Sequence, residues 1–181
     1  MPPEPSAPSE LDRLPLLIRE VPDFPQPGIL FRDITPLLYD PPARRAVNDA
    51  LAQAAREMGA TLVAGIESRG FIFGVPVAER LDVPFILVRK PGKLPHDLVS
   101  VTYALEYGSG ALEMHRHPPV EGHRVAIVDD LLATGGTAAA TARLVEECGG
   151  DVAGFVFVVE LAALDGRAAL GGRPAVSLIA Y

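Results

Sequence analysis

Two neighbouring carboxylates, Asp129 and Asp130, follow the apolar run Val125–Val128 and precede Leu131-Leu-Ala-Thr-Gly-Gly-Thr137. Small residues at Ala133, Gly135 and Gly136 let the backbone approach an anion closely, and successive amide N–H groups form an anion nest. A helix opening at Thr137 adds the positive end of its dipole. The Thr134 and Thr137 hydroxyls are further donors. The two acids are poor phosphate ligands but good acceptors from hydroxyl groups. A phosphate binder and a polyol binder in one turn point to a sugar phosphate. The loop is not a Walker P-loop, because Gly136 is followed by Thr137 and no lysine reaches a nucleotide phosphate. A plain strand–helix turn capped by threonine is the alternative, and the acid pair argues against it.

The chain has 181 residues, 49% of them hydrophobic, and a net charge of -7. That size suits one compact domain with a buried core. The negative charge weighs against a nucleic-acid or membrane-surface role, so cations for a phosphorylated ligand must be concentrated locally. Arg89-Lys-Pro-Gly-Lys93 supplies three in five residues. Glu67-Ser-Arg-Gly70 follows a strand and opens a helix, so its amides also face the ligand side. The four histidines, His96, His115, His117 and His123, have no metal-ligand spacing and read as loop or surface residues. The one cysteine, Cys148, forms no internal disulfide and reads as a small buried residue. No apolar stretch reaches the roughly 18 residues of a membrane span. The first ten residues are rich in proline and lack the basic and apolar regions of a signal peptide, which predicts a disordered tail over residues 1–10 and a cytoplasmic protein.

The elements that must hold these residues alternate. Apolar, β-branched runs at Thr61–Ile66, Pro84–Val88, Arg124–Val128, Ala153–Val159 and Val176–Ala180 predict strands buried on both faces, hence a parallel sheet. Helices are expected at Pro42–Met58, Phe71–Leu81, Thr137–Glu147 and Leu164–Leu170, with Gly59 and Gly149 as C-caps. The fold class is therefore α/β, a mostly parallel central sheet flanked by helices, with ligands beyond the carboxyl ends of the strands. Residues Pro91–Gly122 break the pattern. Leu98–Glu106 and Ala111–His115, joined through Tyr107-Gly-Ser-Gly110, predict a β-ribbon on a flexible stem, Pro91–His96. An excursion of this length reads as a lid.

The segment Val125–Thr137 resembles the phosphoribosyl-pyrophosphate motif of the type I phosphoribosyltransferases. Four other segments resemble the adenine phosphoribosyltransferases within that family. Val21–Pro36 is similar to their N-terminal hood, Gly65–Gly74 to their pyrophosphate loop, Arg89–Pro95 to the stem of their flexible loop, and Leu105–Gly108 to their lid. Together these cover Val21 to Tyr181 in the family's order. The resemblance implies the type I phosphoribosyltransferase fold as a single domain over residues 11–181, with a hood at about 11–40 and a flexible loop at about 91–115. It also implies a homodimer.

By the same resemblance, Asp129 and Asp130 hold the ribose hydroxyls, and Ala133, Thr134, Gly135, Gly136 and Thr137 hold the 5-phosphate. Ser68, Arg69, Arg89, Lys90 and Lys93 take pyrophosphate, with arginine giving bidentate contacts. Leu30, Phe31 and Arg32 surround adenine. An isolated Phe31 would read as core, whereas the resemblance favours stacking on the base. Tyr107 either covers the site or packs within the lid. In the family the peptide between the positions of Glu67 and Ser68 is often cis.

The implied reaction is adenine plus phosphoribosyl pyrophosphate giving AMP and pyrophosphate, with Mg²⁺ held mainly by substrate and water. Enzymes of the family that act on 6-oxopurines usually carry an aspartate at the position of Ala133 to serve purine N7. This chain lacks that aspartate, and by resemblance to the adenine enzymes Glu106, in the lid, takes its place in managing the purine proton. Phosphoribosyltransferases for guanine, hypoxanthine or xanthine are disfavoured by Ala133, Glu106 and the hood. A repressor that only binds phosphoribosyl pyrophosphate would need a basic DNA-binding domain. A receiver domain built on Asp129 and Asp130 does not suit the Thr-Gly-Gly-Thr continuation.

Overall fold

The computed structural model describes residues 9–104 and 109–181, which cluster into two compact units divided after Asn48. In the first unit, Ser9 caps a 3-10 helix at Glu10–Leu17 through a reciprocal pairing with Asp12. Composition alone assigns Ser9 and Glu10 to the tail; the capped turn takes them up. Strands β1 (Arg19–Pro22) and β2 (Leu30–Asp33) pair antiparallel, with Val21 opposite Phe31. Their connection is closed by Asp23 Oδ1, which accepts from the Gly28 N–H at 2.8 Å. Phe24 meets Phe31 edge-to-face at 5.1 Å between centroids. Asp33 accepts from the Thr35 hydroxyl and amide and from Arg19, and these bonds, led by the Thr35 hydroxyl, lower its pKa to about 2. Asp23 and Asp33 thus serve the turns. Helices α1 (Thr35–Tyr39) and α2 (Pro41–Glu57) follow, and the unit boundary falls inside α2.

The second unit holds β3 (Leu62–Ile66), α3 (Arg69–Leu81), β4 (Phe85–Arg89), β5 (Leu98–Ala104), β6 (Ser109–His115), β7 (Arg124–Leu132), α4 (Gly136–Glu147), β8 (Asp151–Glu160) and β9 (Ala175–Ala180). The described strands form one seven-stranded sheet in the order β5-β6-β4-β3-β7-β8-β9. From β4 to β9 all pairings are parallel, while β6 joins β4 and β5 antiparallel. All of β3 and all of β8 beyond Asp151 are buried, which explains their unbroken apolar sequence. The core collects Ile66, Val88, Leu112, Met114, Ile127, Leu144, Phe155 and Phe157.

Three features differ from the sequence reading. Strand β7 does not stop at Val128; it pairs through Leu131↔Val159 and Leu132↔Glu160, so the acid pair lies within a strand. The ribbon is not a free excursion, because Val88↔Met114 and Arg89↔Glu113 sew it onto the sheet. The expected helix at Leu164–Leu170 is two 3-10 turns, Ala162–Leu164 and Gly166–Leu170, interrupted by Asp165 in the left-handed region at φ 49°. Gly59 and Gly149 end α2 and α4 with positive φ, as their C-cap reading requires.

Candidate active site

The β3 crossover runs through α3 to β4 on one side of the sheet order, and the β7 crossover runs through α4 to β8 on the other. The boundary between β3 and β7 is thus the topological switch point, where α/β sheets open a crevice at the strands' carboxyl ends. A cleft of about 440 Å³ lies there, lined by Ile66, Glu67, Ser68, Arg69, Lys90, Tyr103, Leu112, Asp129, Asp130 and Thr137. A smaller cradle of about 90 Å³ is lined by Asp129 and Leu131–Ala138. Asp129 borders both.

The acid pair is deeply set. Asp130 is buried and takes a hydrogen bond from Arg69 Nε across the switch point. Asp129 Oδ1 accepts from the Asp130 amide at 2.9 Å. Burial, and then the adjacent Asp130 carboxylate, push the Asp129 carboxyl well above the usual range. The close fit needs Gly70 at the start of α3, because a Cβ there would lie 2.8 Å from the Val128 carbonyl oxygen and 3.0 Å from Asp129 Oδ1.

The cradle is a strand–helix turn. Gly135 sits at the α4 N-cap with φ 79°, a conformation that favours glycine. Thr134 is exposed and Thr137 half-buried. The Tyr103 hydroxyl approaches Thr137 Oγ1 at 3.4 Å. On the other wall, the Glu67–Ser68 peptide is cis. Glu67 Oε2 accepts from Arg89 Nε at 3.1 Å and from the Lys90 amide at 3.2 Å. Arg89 also donates to the Lys93 carbonyl at 3.2 Å and lies over the Phe71 ring. Gly92 N–H donates to Glu113, and His115 Nε2 stands 3.0 Å from the Pro95 carbonyl. The loop stem is therefore held against β4 and β6.

Comparison with known proteins bears directly on this arrangement. Residues 35–169 match the family model for the phosphoribosyl transferase domain. An adenine phosphoribosyltransferase from Gloeobacter violaceus is 57% identical over 165 residues, covering 91% of this chain and 96% of its own. The crystal structure of adenine phosphoribosyltransferase from Thermoanaerobacter pseudethanolicus superposes with a TM-score of 0.91 at 51% identity, covering 94% of this chain and 99% of that one. The Saccharomyces cerevisiae enzyme, solved with an iminoaltritol bisphosphate and adenine, gives a TM-score of 0.87 at 40% identity over 93% of this chain and 98% of that one. This chain belongs to the adenine phosphoribosyltransferase family. Its fold is accordingly the type I phosphoribosyltransferase fold, and it is a pentosyl-transferring enzyme.

Of the residues that the family resemblance singles out, the structure gathers Ser68, Arg69, Lys90, Asp129, Asp130 and Thr137 around one cleft, and Ala133, Thr134, Gly135, Gly136 and Thr137 around the adjoining cradle. Arg89 and Lys93 do not line the cleft: Arg89 is engaged with Glu67, and the Lys93 side chain is exposed on the stem. Leu30, Phe31 and Arg32 are on β2 in the first unit, where Arg32 pairs with Glu20. Glu106 and Tyr107 lie outside the described residues. Glu67 and Tyr103 line the cleft although neither is a predicted ligand; the apolar alternation of the ribbon hid which way Tyr103 would face.

The raised pKa ties the stability of the fold to the Asp129 proton. The folded state holds this proton more tightly than the unfolded chain, so stability falls as pH rises from the ordinary carboxylate value through the raised one. Asp129→Asn removes that term while keeping the acceptor for the Asp130 amide. The expected melting temperature is higher than the parent's at neutral pH, with the gap closing as pH falls toward about 4. Circular dichroism melts across that range check it; an equal or lower value at neutral pH contradicts the electrostatic account.

Proposed function

We propose that the cleft and cradle together hold 5-phosphoribosyl pyrophosphate, its 5-phosphate on Ala133–Thr137, its ribose hydroxyls on Asp129 and Asp130, and its pyrophosphate toward Ser68, Arg69 and Lys90. The observation that carries this reading is the double role of Asp129, which borders both cavities. A sugar phosphate laid across them has its hydroxyls opposite carboxylates and its phosphate opposite amides. The reaction is transfer of the phosphoribosyl group to N9 of adenine, giving AMP and pyrophosphate, as in purine salvage. The bond from C1′ to the pyrophosphate oxygen breaks while that from N9 to C1′ forms, and positive charge develops on the ribose ring in an oxocarbenium-like transition state. The cations receive the departing negative charge, with Arg89 and Lys93 joining them from the stem.

Mg²⁺ is the expected cofactor. Among the described residues no three His, Cys, Asp or Glu side chains converge on one point as a metal site, but three carboxylates, Glu67, Asp129 and Asp130, line the cleft. Such hard oxygen donors suit Mg²⁺ held mostly by substrate phosphates and water, where it neutralises pyrophosphate charge. In the hood, Leu30, Phe31 and Arg32 hold adenine, Phe31 by stacking and the backbone by accepting from the 6-amino group and donating to N1. Glu106 manages the purine proton, and Tyr107 closes over the site. Ala133 supports adenine over a 6-oxopurine, since its methyl leaves no carboxylate for N7.

The chain acts in the cytoplasm as a homodimer. No described helix is long and apolar enough to cross a membrane. Ile72 and Val75, three apart on α3, leave an apolar face exposed. Gel filtration of active enzyme is expected at the mass of two chains, and a purely monomeric active species would refute the dimer.

The decisive assay supplies phosphoribosyl pyrophosphate and Mg²⁺ with adenine, hypoxanthine, guanine or xanthine in turn. AMP forms from adenine and the other bases are strongly rejected, because a site built to hydrogen-bond one base leaves its groups unpaired with another. Glu106→Gln lowers turnover about 10²–10⁴-fold with little change in phosphoribosyl-pyrophosphate binding. No AMP from adenine would overturn the reading; an unchanged rate in the variant would remove Glu106 from the mechanism.

A further inference from the structure

The connection from β8 to β9, residues 161–174, packs against the back of the phosphate cradle at backbone distance. A Cβ on Gly135, inside the cradle, would fall 2.3 Å from the Gly166 carbonyl oxygen and 2.9 Å from Ala169 Cβ. Conversely, a Cβ on Gly166 would fall 2.2 Å from the Ala133 carbonyl oxygen and 3.0 Å from Leu132 Cδ1. The shortest contact on each side is to a main-chain oxygen, which no side-chain rotation moves aside. Gly166 is not in the left-handed region, unlike Gly171 and Gly172 in the same connection. An alanine at Gly166 therefore meets no backbone strain of its own; its whole effect passes through the cradle.

The same connection is fixed in place from the other side. Arg167, the next residue, makes a bidentate pair with the buried Glu160 carboxylate, Nε to Oε1 at 2.8 Å and Nη2 to Oε2 at 2.7 Å. Its Nη1 donates to the Ala175 carbonyl at 2.9 Å. Leu161 N–H donates to the Leu132 carbonyl at 2.9 Å, tying the end of β8 to the last residue of β7 before the cradle. Two parallel N–H···O bonds define an orientation as well as a distance.

We propose that this connection is the rigid back wall of the phosphate cradle, with Gly166 and the Glu160–Arg167 pair as positioning residues for binding of the 5-phosphate. The inference rests on the placement of that phosphate at Ala133–Thr137. Neither Gly166 nor Arg167 lines either cavity, so both act by holding the cradle's backbone where its donors converge. Displacement of a binding loop by a fraction of an ångström weakens the ligand it holds while leaving a separately held ligand alone.

The test is a split between the two substrates. Gly166→Ala is expected to raise KM for phosphoribosyl pyrophosphate about tenfold or more, with KM for adenine within about twofold of the parent. Arg167→Lys keeps the charge but loses the fork, and a smaller rise in the same KM alone is expected. Gly172→Ala is the control: it strains a left-handed residue with nothing within 4 Å, so it lowers the melting temperature without moving either KM. Should Gly166→Ala not fold, Arg167→Lys decides. Phosphoribosyl-pyrophosphate KM unchanged in the folded variants, or both KM values raised alike, overturns the proposal. A parent protein that forms no AMP overturns the underlying reading, and the proposal with it.

Discussion

The parallel pairing of β3 with β7 is the constraint on which the rest depends. Register Leu62↔Val125 through Gly65↔Val128 brings the two strands to their carboxyl ends side by side. The turn after β3 delivers Glu67, Ser68 and Arg69; the last residues of β7 deliver Asp129 and Asp130. A one-residue slip would send alternate side chains to the opposite face and separate Arg69 from Asp130. Close approach of α3 to β7 is equally strict, since Gly70 leaves no room for a methyl beside Asp129. Cleft, acid pair and cradle are consequences of one register.

Electrostatics divides the labour. The chain carries a net charge of -7, yet the cleft sets Arg69 and Lys90 along its β3–β4 rim, beside Glu67, and two carboxylates along β7. Burying two adjacent acids is unfavourable unless they are bonded. Here Arg69 satisfies Asp130, while Asp129 stays with a raised pKa. Such an energetically costly group at the wall of a cleft is what a site shaped for a ligand carries. In the proposed complex, ribose hydroxyls would be donors additional to the Asp130 amide, from which Asp129 already accepts.

Much of this was legible in the residues. The β-branched runs announce buried strands because both faces of β3 and β8 are covered, and the Gly-rich turn after an acid pair points to a phosphosugar through the groups it offers a ligand. What stayed hidden depended on distant packing. Nothing in Leu131-Leu132 distinguishes a strand from a loop until β8 is placed beside it. The 3-10 turns around Asp165 look helical in sequence, whereas Asp165 takes the left-handed region and Gly166 packs against the backbone of Ala133 and Gly135. That Glu67, twenty-two positions earlier, accepts from the Arg89 guanidinium is equally invisible in the basic run around Arg89. The base assignment drew on Ala133, Glu106 and the hood through family resemblance, where local physics alone leaves the choice of purine open.

The central claim is that the β7–α4 turn takes the 5-phosphate while Asp129 and Asp130 take the ribose. A crystal structure with AMP tests it most directly. The account predicts the phosphate within hydrogen-bond distance of amides in Thr134–Thr137 and the ribose hydroxyls on the two aspartates. AMP bound with its phosphate away from that turn, or with its ribose hydroxyls on other residues, would contradict it.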